Sequence, residues 1–133
     1  MATPQPAPNP FEMPRVAIVD ADRRVQQSLA DALRLTHRIE IVGCAGDVRS
    51  ALELMALQQP GVVLVDPRLP DVQAATALLN AIETGWPMTR VVLMGWSDQL
   101  EDPRLTRRAS ASVPKTAQPD AFVDAVLNAC GCY

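Results

Sequence analysis

The chain has 133 residues, 48% of them apolar and with a formal net charge of −3, which suits one domain around a single core. The acidic balance and the scattered basic residues argue against direct binding to nucleic acid or to an anionic membrane surface. No apolar run approaches the roughly 20 residues of a membrane span, and the N-terminus lacks the basic start and apolar stretch of a signal peptide.

Three cysteines occur, Cys44, Cys130 and Cys132, which is an odd number with two of them at the very end. This pattern does not indicate a disulfide framework and favours a reducing cytoplasm. Cys130 and Cys132 could bind a metal or act in redox chemistry. No further Cys or nearby His supports a four-ligand site, so we favour a frayed chain end with two reduced thiols.

The first segment, residues 1–14, contains five prolines and is predicted to be an extended, disordered tail. From Arg15 onward, short apolar runs alternate with amphipathic segments. We predict strands at 15–19, 39–42, 62–65, 91–94 and 112–114. We predict helices at 23–35, 48–58, 71–84, 101–109 and 119–130, the fourth of them short and charged. The domain would span residues 15–130, with a tail at 131–133.

Two of the predicted helices carry more specific predictions. Gly85 follows the third helix, where a residue with positive φ is often found. In the last helix the predicted inward face comprises Ala121, Phe122, Ala125, Val126 and Ala129. Val123 and Leu127 lie off that stripe and could form an outward apolar strip for a dimer or partner, although scattered exposed apolar residues are common.

Strands that alternate with helices imply βαβ units and a parallel sheet, so we predict a three-layer, doubly wound α/β domain. The turn after the first strand reads Asp20-Ala21-Asp22 and contains no glycine. We therefore do not expect a dinucleotide-binding site of the Rossmann type.

Charged residues follow three of the predicted strands. Asp20 ends the first strand and Asp66 ends the third, where Pro67 and Pro70 stop the pairing, while Lys115 follows the fifth. Ligands bind at the carboxyl ends of the strands in such sheets. A structural ion pair is the alternative for any one of these residues, but three at one edge favour a phosphate or metal site.

The segment from Arg15 to Ala129 resembles a response-regulator receiver domain. The resemblance rests on Ile18-Val19-Asp20, on the run from Val62 to Asp71, and on the run from Ala109 to Lys115. It implies a flavodoxin-like, five-stranded parallel sheet with strand order 2-1-3-4-5. The stretch from Val42 to Asp47 is similar to regulators in which a DNA-binding helix-turn-helix follows the receiver.

The resemblance also implies roles for individual residues. Asp66 would be the phosphoacceptor and Lys115 would contact the phosphoryl oxygens. Mg²⁺ would be held by Asp20, Asp66 and the backbone carbonyl of Arg68, with Asp22 as an alternative ligand. The implied partner is a sensor histidine kinase or phosphotransfer protein, the output passes through protein–protein contacts, and a homodimer is also compatible.

Several positions depart from the family pattern. Ala21 stands where a second acid usually binds Mg²⁺, so binding is expected to be weak, and Asp22 is better placed to cap the next helix. Gly95 replaces a hydroxyl residue, and Ser112 replaces the aromatic that moves with it. Trp96 stands where a small residue is usual, and its indole would cover Asp66, fill the space left by Gly95, or pack on the short fourth helix.

Two functions remain open on these grounds. The first is a working but atypical receiver that accepts phosphate on Asp66. The second is a pseudo-receiver that docks a partner or dimerises without phosphate. We do not expect an enzyme beyond self-phosphorylation and self-dephosphorylation. An aspartyl-phosphate hydrolase would carry a second acid two residues after its nucleophile, and here that residue is Arg68.

Overall fold

A computed structural model describes residues 13–96 and 103–131. Strands and helices alternate through this part of the chain: β1 (Arg15–Val19), α1 (Arg23–Arg34), β2 (Glu40–Ala45), α2 (Val48–Gln58), β3 (Val62–Val65), α3 (Val72–Gly85), β4 (Arg90–Gly95), α4 (Pro103–Thr106), β5 (Ala111–Pro114) and α5 (Pro119–Cys130). The predicted disordered tail falls almost entirely on residues 1–12, which lie outside the described residues. The predicted frayed end at Cys132 lies outside them as well.

The strands form one parallel sheet in the predicted order β2-β1-β3-β4-β5. The central strand β3 shows why its sequence is continuously apolar. Val62 and Leu64 face the core beneath α1 and α5, whereas Val63 and Val65 face the core beneath α2 and α3. All four side chains are fully buried, because a parallel sheet in a three-layer fold is covered on both faces.

Three aspartates begin the helices that follow β1, β2 and β3. Asp22 Oδ1 accepts a hydrogen bond from Arg24 N at 2.9 Å, and Asp47 and Asp71 cap α2 and α3 in the same way. The caps satisfy first-turn N–H groups that have no partner within a helix. The predicted capping role of Asp22 is therefore confirmed. Backbone and side-chain hydrogen bonds from Ser50 also hold the pKa of Asp47 below its usual value.

Strand β2 is longer than the predicted 39–42, since it runs on to Ala45. Its register with β1 shifts by one residue after Val16, which leaves Val42 as an extra residue and lets Gly43 pair with Ala17. Gly43 also faces α2 closely, because a Cβ built there would lie 2.7 Å from Leu54 Cδ1. The missing side chain lets the helix pack against the strand.

The predicted end of α3 is wrong in one detail. Gly85 is the last residue of the helix and does not have positive φ; Trp86 N donates to Ile82 O and closes the last turn. Left-handed φ values occur instead at Gln59 after α2 and at Gly131 after α5. The helix therefore ends by a backbone hydrogen bond and not by a glycine cap.

Helices α4 and α5 also differ from the predictions. α4 is a single turn, Pro103–Thr106, which ends before the predicted residue 109, and residues 101 and 102 of the predicted helix lie outside the described residues. In α5, Ala121 is exposed and Val123 is fully buried with Phe122 and Val126 in the core. The proposed outward strip of Val123 and Leu127 is therefore wrong, because the buried face follows the i, i+3, i+4, i+7 pattern from Pro119.

β5 is an edge strand, as the proline at its end requires. Among the described residues, no helix is both long and apolar enough to cross a membrane.

Candidate functional site

The three charged residues predicted from the sequence lie together at the carboxyl edge of the sheet. Backbone hydrogen bonds beyond the strand ends hold each of them in place. Asp20 N donates to Ala45 O at 3.0 Å, Asp66 N to Val19 O at 2.9 Å, and Lys115 N to Gly95 O at 2.9 Å. Each residue is thus tied to the end of a neighbouring strand, and their relative positions are set by the sheet itself.

One ammonium bridges two carboxylates in this site. Lys115 Nζ lies 2.6 Å from Asp20 Oδ2 and forms a second, short contact with Asp66 Oδ2. The side chains of the three residues are 8%, 2% and 8% exposed, respectively. Buried charges are costly unless they are paired, and two carboxylates with one ammonium leave a formal charge of −1. The cluster can therefore accept further positive charge.

The protonation of the cluster follows from its burial. Removal from water raises the pKa of Asp20, against the opposing effects of Lys115 and of the Asp22 backbone N–H. Burial alone would lower the pKa of Lys115, but the hydrogen bonds and charges of Asp20 and Asp66 outweigh it, so that the pKa is raised. Lys115 is accordingly a stable ammonium ion at neutral pH.

Local turns orient the two carboxylates. Asp66 Oδ1 accepts a hydrogen bond from Arg68 N at 2.7 Å, and Asp20 Oδ1 accepts one from Asp22 N at 2.8 Å. Each acid therefore uses one oxygen to fix its own loop and turns the other towards Lys115. Asp20 Oδ2 is buried, and its partner is the Lys115 ammonium at 2.6 Å.

Gln26 supports this arrangement and was not predicted from the sequence. Its Nε2 donates to the backbone oxygen of Asp20 at 2.6 Å and fixes the turn after β1. Gly46 lies beside it, since a Cβ at that position would be 3.2 Å from Gln26 Nε2. A polar residue one turn into an amphipathic helix carries no sequence signal for such a role.

A stronger signal was available for Lys115, which is the only lysine among the twelve basic residues of the chain. The others are arginines, whose planar fork would not place a single point charge between two carboxylates. The one lysine of the chain therefore stands where a point charge lies between two carboxylates.

The donor set fits a magnesium ion with few protein ligands. Mg²⁺ prefers carboxylate, carbonyl and water oxygens, and Oδ2 of Asp20 and Oδ2 of Asp66 converge on a single ammonium that neutralises only one of the two carboxylates. Asp22 is directed to its cap instead. Within residues 13–96 and 103–131, no group of three or more His, Cys, Asp or Glu side chains converges on a metal position.

The remaining predicted positions surround the cluster without joining it. Gly95 is buried at the end of β4 and has no hydroxyl group, Ala21 is exposed, and Ser112 is exposed on the edge strand β5. The arrangement thus contains two carboxylates and an ammonium, and lacks a hydroxyl at Gly95.

Trp96 packs on Lys115. The indole centroid lies 5.8 Å from Nζ, within cation–π range, and the residue is 49% exposed. Trp96 and Lys115 also border a cavity of about 420 Å³ between α1 and α5, whose other lining residues are Arg24, Val25, Ser28, Leu29, Ala32, Ala117, Pro119 and Phe122. The structure therefore places the indole against the ammonium of the charged site.

Comparison with known proteins agrees with this geometry. A family model described as the response regulator receiver domain matches residues 16–127. The chain is 30% identical over 130 residues to the transcriptional regulatory protein NarL of Mycobacterium tuberculosis, covering 96% of this chain and 57% of that protein. It is 30% identical over 105 residues to a protein-glutamate methylesterase/protein-glutamine glutaminase of Anaeromyxobacter dehalogenans, covering 79% of this chain and 29% of that protein.

Solved structures show the same fold. The signal receiver domain of NarL from Mycobacterium tuberculosis superimposes with a TM-score of 0.74 at 26% identity, over 90% of this chain and 98% of that one. The chain thus spans 57% and 29% of the length of these two curated relatives, and almost all of the solved receiver domain.

Proposed function

The chain belongs to the family of response regulator receiver domains of two-component signalling, and we propose that Asp66 is its phosphoacceptor. One observation carries the proposal: the Asp66 carboxylate stands at the end of a fully buried strand with the ammonium of Lys115 against one oxygen. A carboxylate held in this way is a positioned nucleophile with its counter-charge already in place.

The proposed reaction uses a phosphohistidine on a sensor histidine kinase or a phosphotransfer protein. Asp66 Oδ2 attacks phosphorus, the new O–P bond forms, and the P–N bond to the histidine breaks, with the electron pair leaving on that nitrogen. Lys115 then moves its charge from the carboxylate to the phosphoryl oxygens. Phosphoryl transfer depends mainly on positioning and on neutralisation of charge, which Lys115 provides here.

We propose that Asp20 and Asp66 hold Mg²⁺ together with the backbone carbonyl of Arg68 and water. When bound, Mg²⁺ would supply further positive charge for the transferred phosphoryl group. Asp22 could join only by giving up its bond to Arg24 N, so two acids remain and binding is weak. Receiver domains generally bind Mg²⁺ at this position, and Ala21 removes one of the usual ligands here.

The output is proposed to pass through contacts with another protein. In the family, a hydroxyl residue and an aromatic residue couple phosphorylation to a distant face. Here Gly95 lacks the hydroxyl and Ser112 lacks the aromatic ring, so a different element must transmit the effect of phosphorylation. A phosphate-independent docking or dimerisation module is the alternative. The receiver fold fits a signalling phosphoacceptor, and the cytoplasmic location stays a prediction.

Incubation with acetyl phosphate and Mg²⁺ followed by intact-mass measurement tests the proposal. We expect one phosphoryl adduct that Asp66→Asn abolishes. Asp71→Asn is the matched control, since Asp71 is an exposed carboxylate at the same edge that caps α3, and its adduct should persist. No adduct on the wild type at saturating Mg²⁺, or an adduct on Asp66→Asn, would leave the docking module as the remaining function.

A further inference from the structure

We propose that Trp96 is a positioning residue whose indole holds the Lys115 ammonium across Asp20 and Asp66. The proposal deepens the function proposed above and rests on it for its consequence in Mg²⁺ binding at the phosphoacceptor site. The contact between the two side chains stands independently of whether Asp66 accepts phosphate.

The geometry places both residues on adjacent strand ends. Lys115 N donates to the carbonyl oxygen of Gly95, so the residue after Gly95 is held beside the lysine by the sheet. The indole centroid then lies 5.8 Å from Nζ, whose other contacts are the two carboxylates. The ammonium is enclosed between negative oxygens and the negative face of a ring.

The lysine has little space to leave this position. Its side chain is 8% exposed, although Lys115 lines the cavity that Trp96, Pro119 and Phe122 also border. Because Gly95 has no side chain, the indole is the group at the end of β4 that contacts the ammonium. Trp96 therefore contacts and holds the ammonium at a strand end that has no hydroxyl group.

A consequence for metal binding follows. Lys115 and Mg²⁺ are both cations and would share the same two carboxylate oxygens, so each weakens the other's binding. An indole that stabilises the ammonium in this position favours the closed ion cluster over the metal-bound site. Loss of the indole should release the lysine and make the carboxylates more available to Mg²⁺.

The contact itself is tested by nuclear magnetic resonance. Since Lys115 is the only lysine, protein labelled with ¹³C,¹⁵N-lysine gives one lysine side-chain spin system. We expect the Lys115 side-chain protons to be shifted upfield by the indole ring current, and Trp96→Leu to remove that shift. Trp86→Phe is the matched control, because Trp86 follows α3 at the opposite edge of the sheet, and should leave it unchanged.

The predicted effect on Mg²⁺ binding is tested by calorimetric Mg²⁺ titration of wild type, Trp96→Phe and Trp96→Leu. Cation–π attraction predicts the weakest binding in wild type, intermediate binding in Trp96→Phe, and binding about two- to fivefold tighter in Trp96→Leu. A role in packing alone predicts equal affinity in Phe and Leu variants. Equal affinity in all three proteins, or tighter binding by wild type, would overturn the proposal.

These outcomes separate the two proposals. A ring-current shift and an ordered affinity series without any phosphoryl adduct would support the role of Trp96 and refute phosphorylation of Asp66. An adduct on Asp66 with a lysine spectrum that Trp96→Leu leaves unchanged would support phosphorylation and refute the role of Trp96.

Discussion

Lys115 Nζ lies 2.6 Å from Asp20 Oδ2, and this ion pair is almost completely buried at the end of β1. Asp66 shares the same ammonium, so the two acids compete for one counter-charge. The resting site is therefore under-neutralised, which costs stability and gives the site its affinity for added positive charge.

The first prediction concerns the effect of the buried Asp20 carboxylate on the free energy of unfolding. Burial raises its pKa above the value of 3.8 that applies to the unfolded chain, so the native state binds this proton more tightly. Native stability then falls as pH rises from below 3.8 through the raised pKa. Asp20→Asn should therefore increase the free energy of unfolding at pH 7, and the gain should shrink as the pH is lowered towards 3.

Urea unfolding of both proteins across this pH range measures the effect. Glu53→Gln on the exposed face of α2 is the control, because its ion pair with Arg49 lies in water and should change stability little at any pH. A loss of stability in Asp20→Asn at pH 7 would mean that its pairing with Lys115 outweighs its burial.

The second prediction concerns Lys115. Lys115→Met leaves two buried carboxylates without a counter-charge and should destabilise the fold by about 3 kcal/mol at pH 7. The raised pKa of Lys115 means that its contribution is fully present below 10.5 and is lost as pH rises through the folded-state pKa. The difference in the free energy of unfolding between wild type and Lys115→Met, measured by urea unfolding, should therefore decrease at strongly alkaline pH.

A constant difference in the free energy of unfolding over the whole pH range would show that altered side-chain packing, and not the lost charge, causes the destabilisation. Lys115→Arg provides a second comparison. It keeps the charge, but its planar fork does not fit between the two carboxylates, and intermediate stability is expected.

The third prediction concerns the missing second acid. Ala21→Asp places a carboxylate next to Asp20 on the turn that follows β1, and should raise Mg²⁺ affinity on the order of tenfold, since affinity grows with the number of charged ligands. Calorimetric titration measures it, with Ala21→Asn as the control for side-chain size. An unchanged affinity would contradict the explanation of weak binding by Ala21.

The fourth prediction separates the two roles considered for Asp22. Asp22→Ala removes the cap of α1 and should cost about 1 kcal/mol of stability, whereas Asp22→Ser keeps a capping oxygen and should cost little. Neither change should alter the dissociation constant for Mg²⁺. Weaker Mg²⁺ binding by the stable Asp22→Ser protein would identify Asp22 as a metal ligand.

Local patterns in the sequence were sufficient for most of the fold. The four apolar residues of β3 and the prolines after Asp66 predicted a buried central strand that ends at a carboxylate, and the strand order followed from the family resemblance. The capping role of Asp22 was also predicted, because capping depends on the residue and its nearest neighbours alone.

Contacts between distant segments decided the rest. The extension of β2 to Ala45 depends on a bulge opposite β1 and on Leu54 packing at Gly43, and neither is encoded locally. The burial of Val123 was missed because the rotation of α5 is set by the sheet beneath it. A helix stripe predicts its own inward face only approximately.

The site divides in the same way. Its carboxylates and its ammonium were found from the sequence, because a charge placed at the end of an apolar strand is visible in the chain itself. Their sharing of one ammonium, the support from Gln26 and the contact of Trp96 with Lys115 were decided by the tertiary structure. Those interactions depend on distances of a few ångströms between side chains on different elements, which only the packed sheet and helices establish.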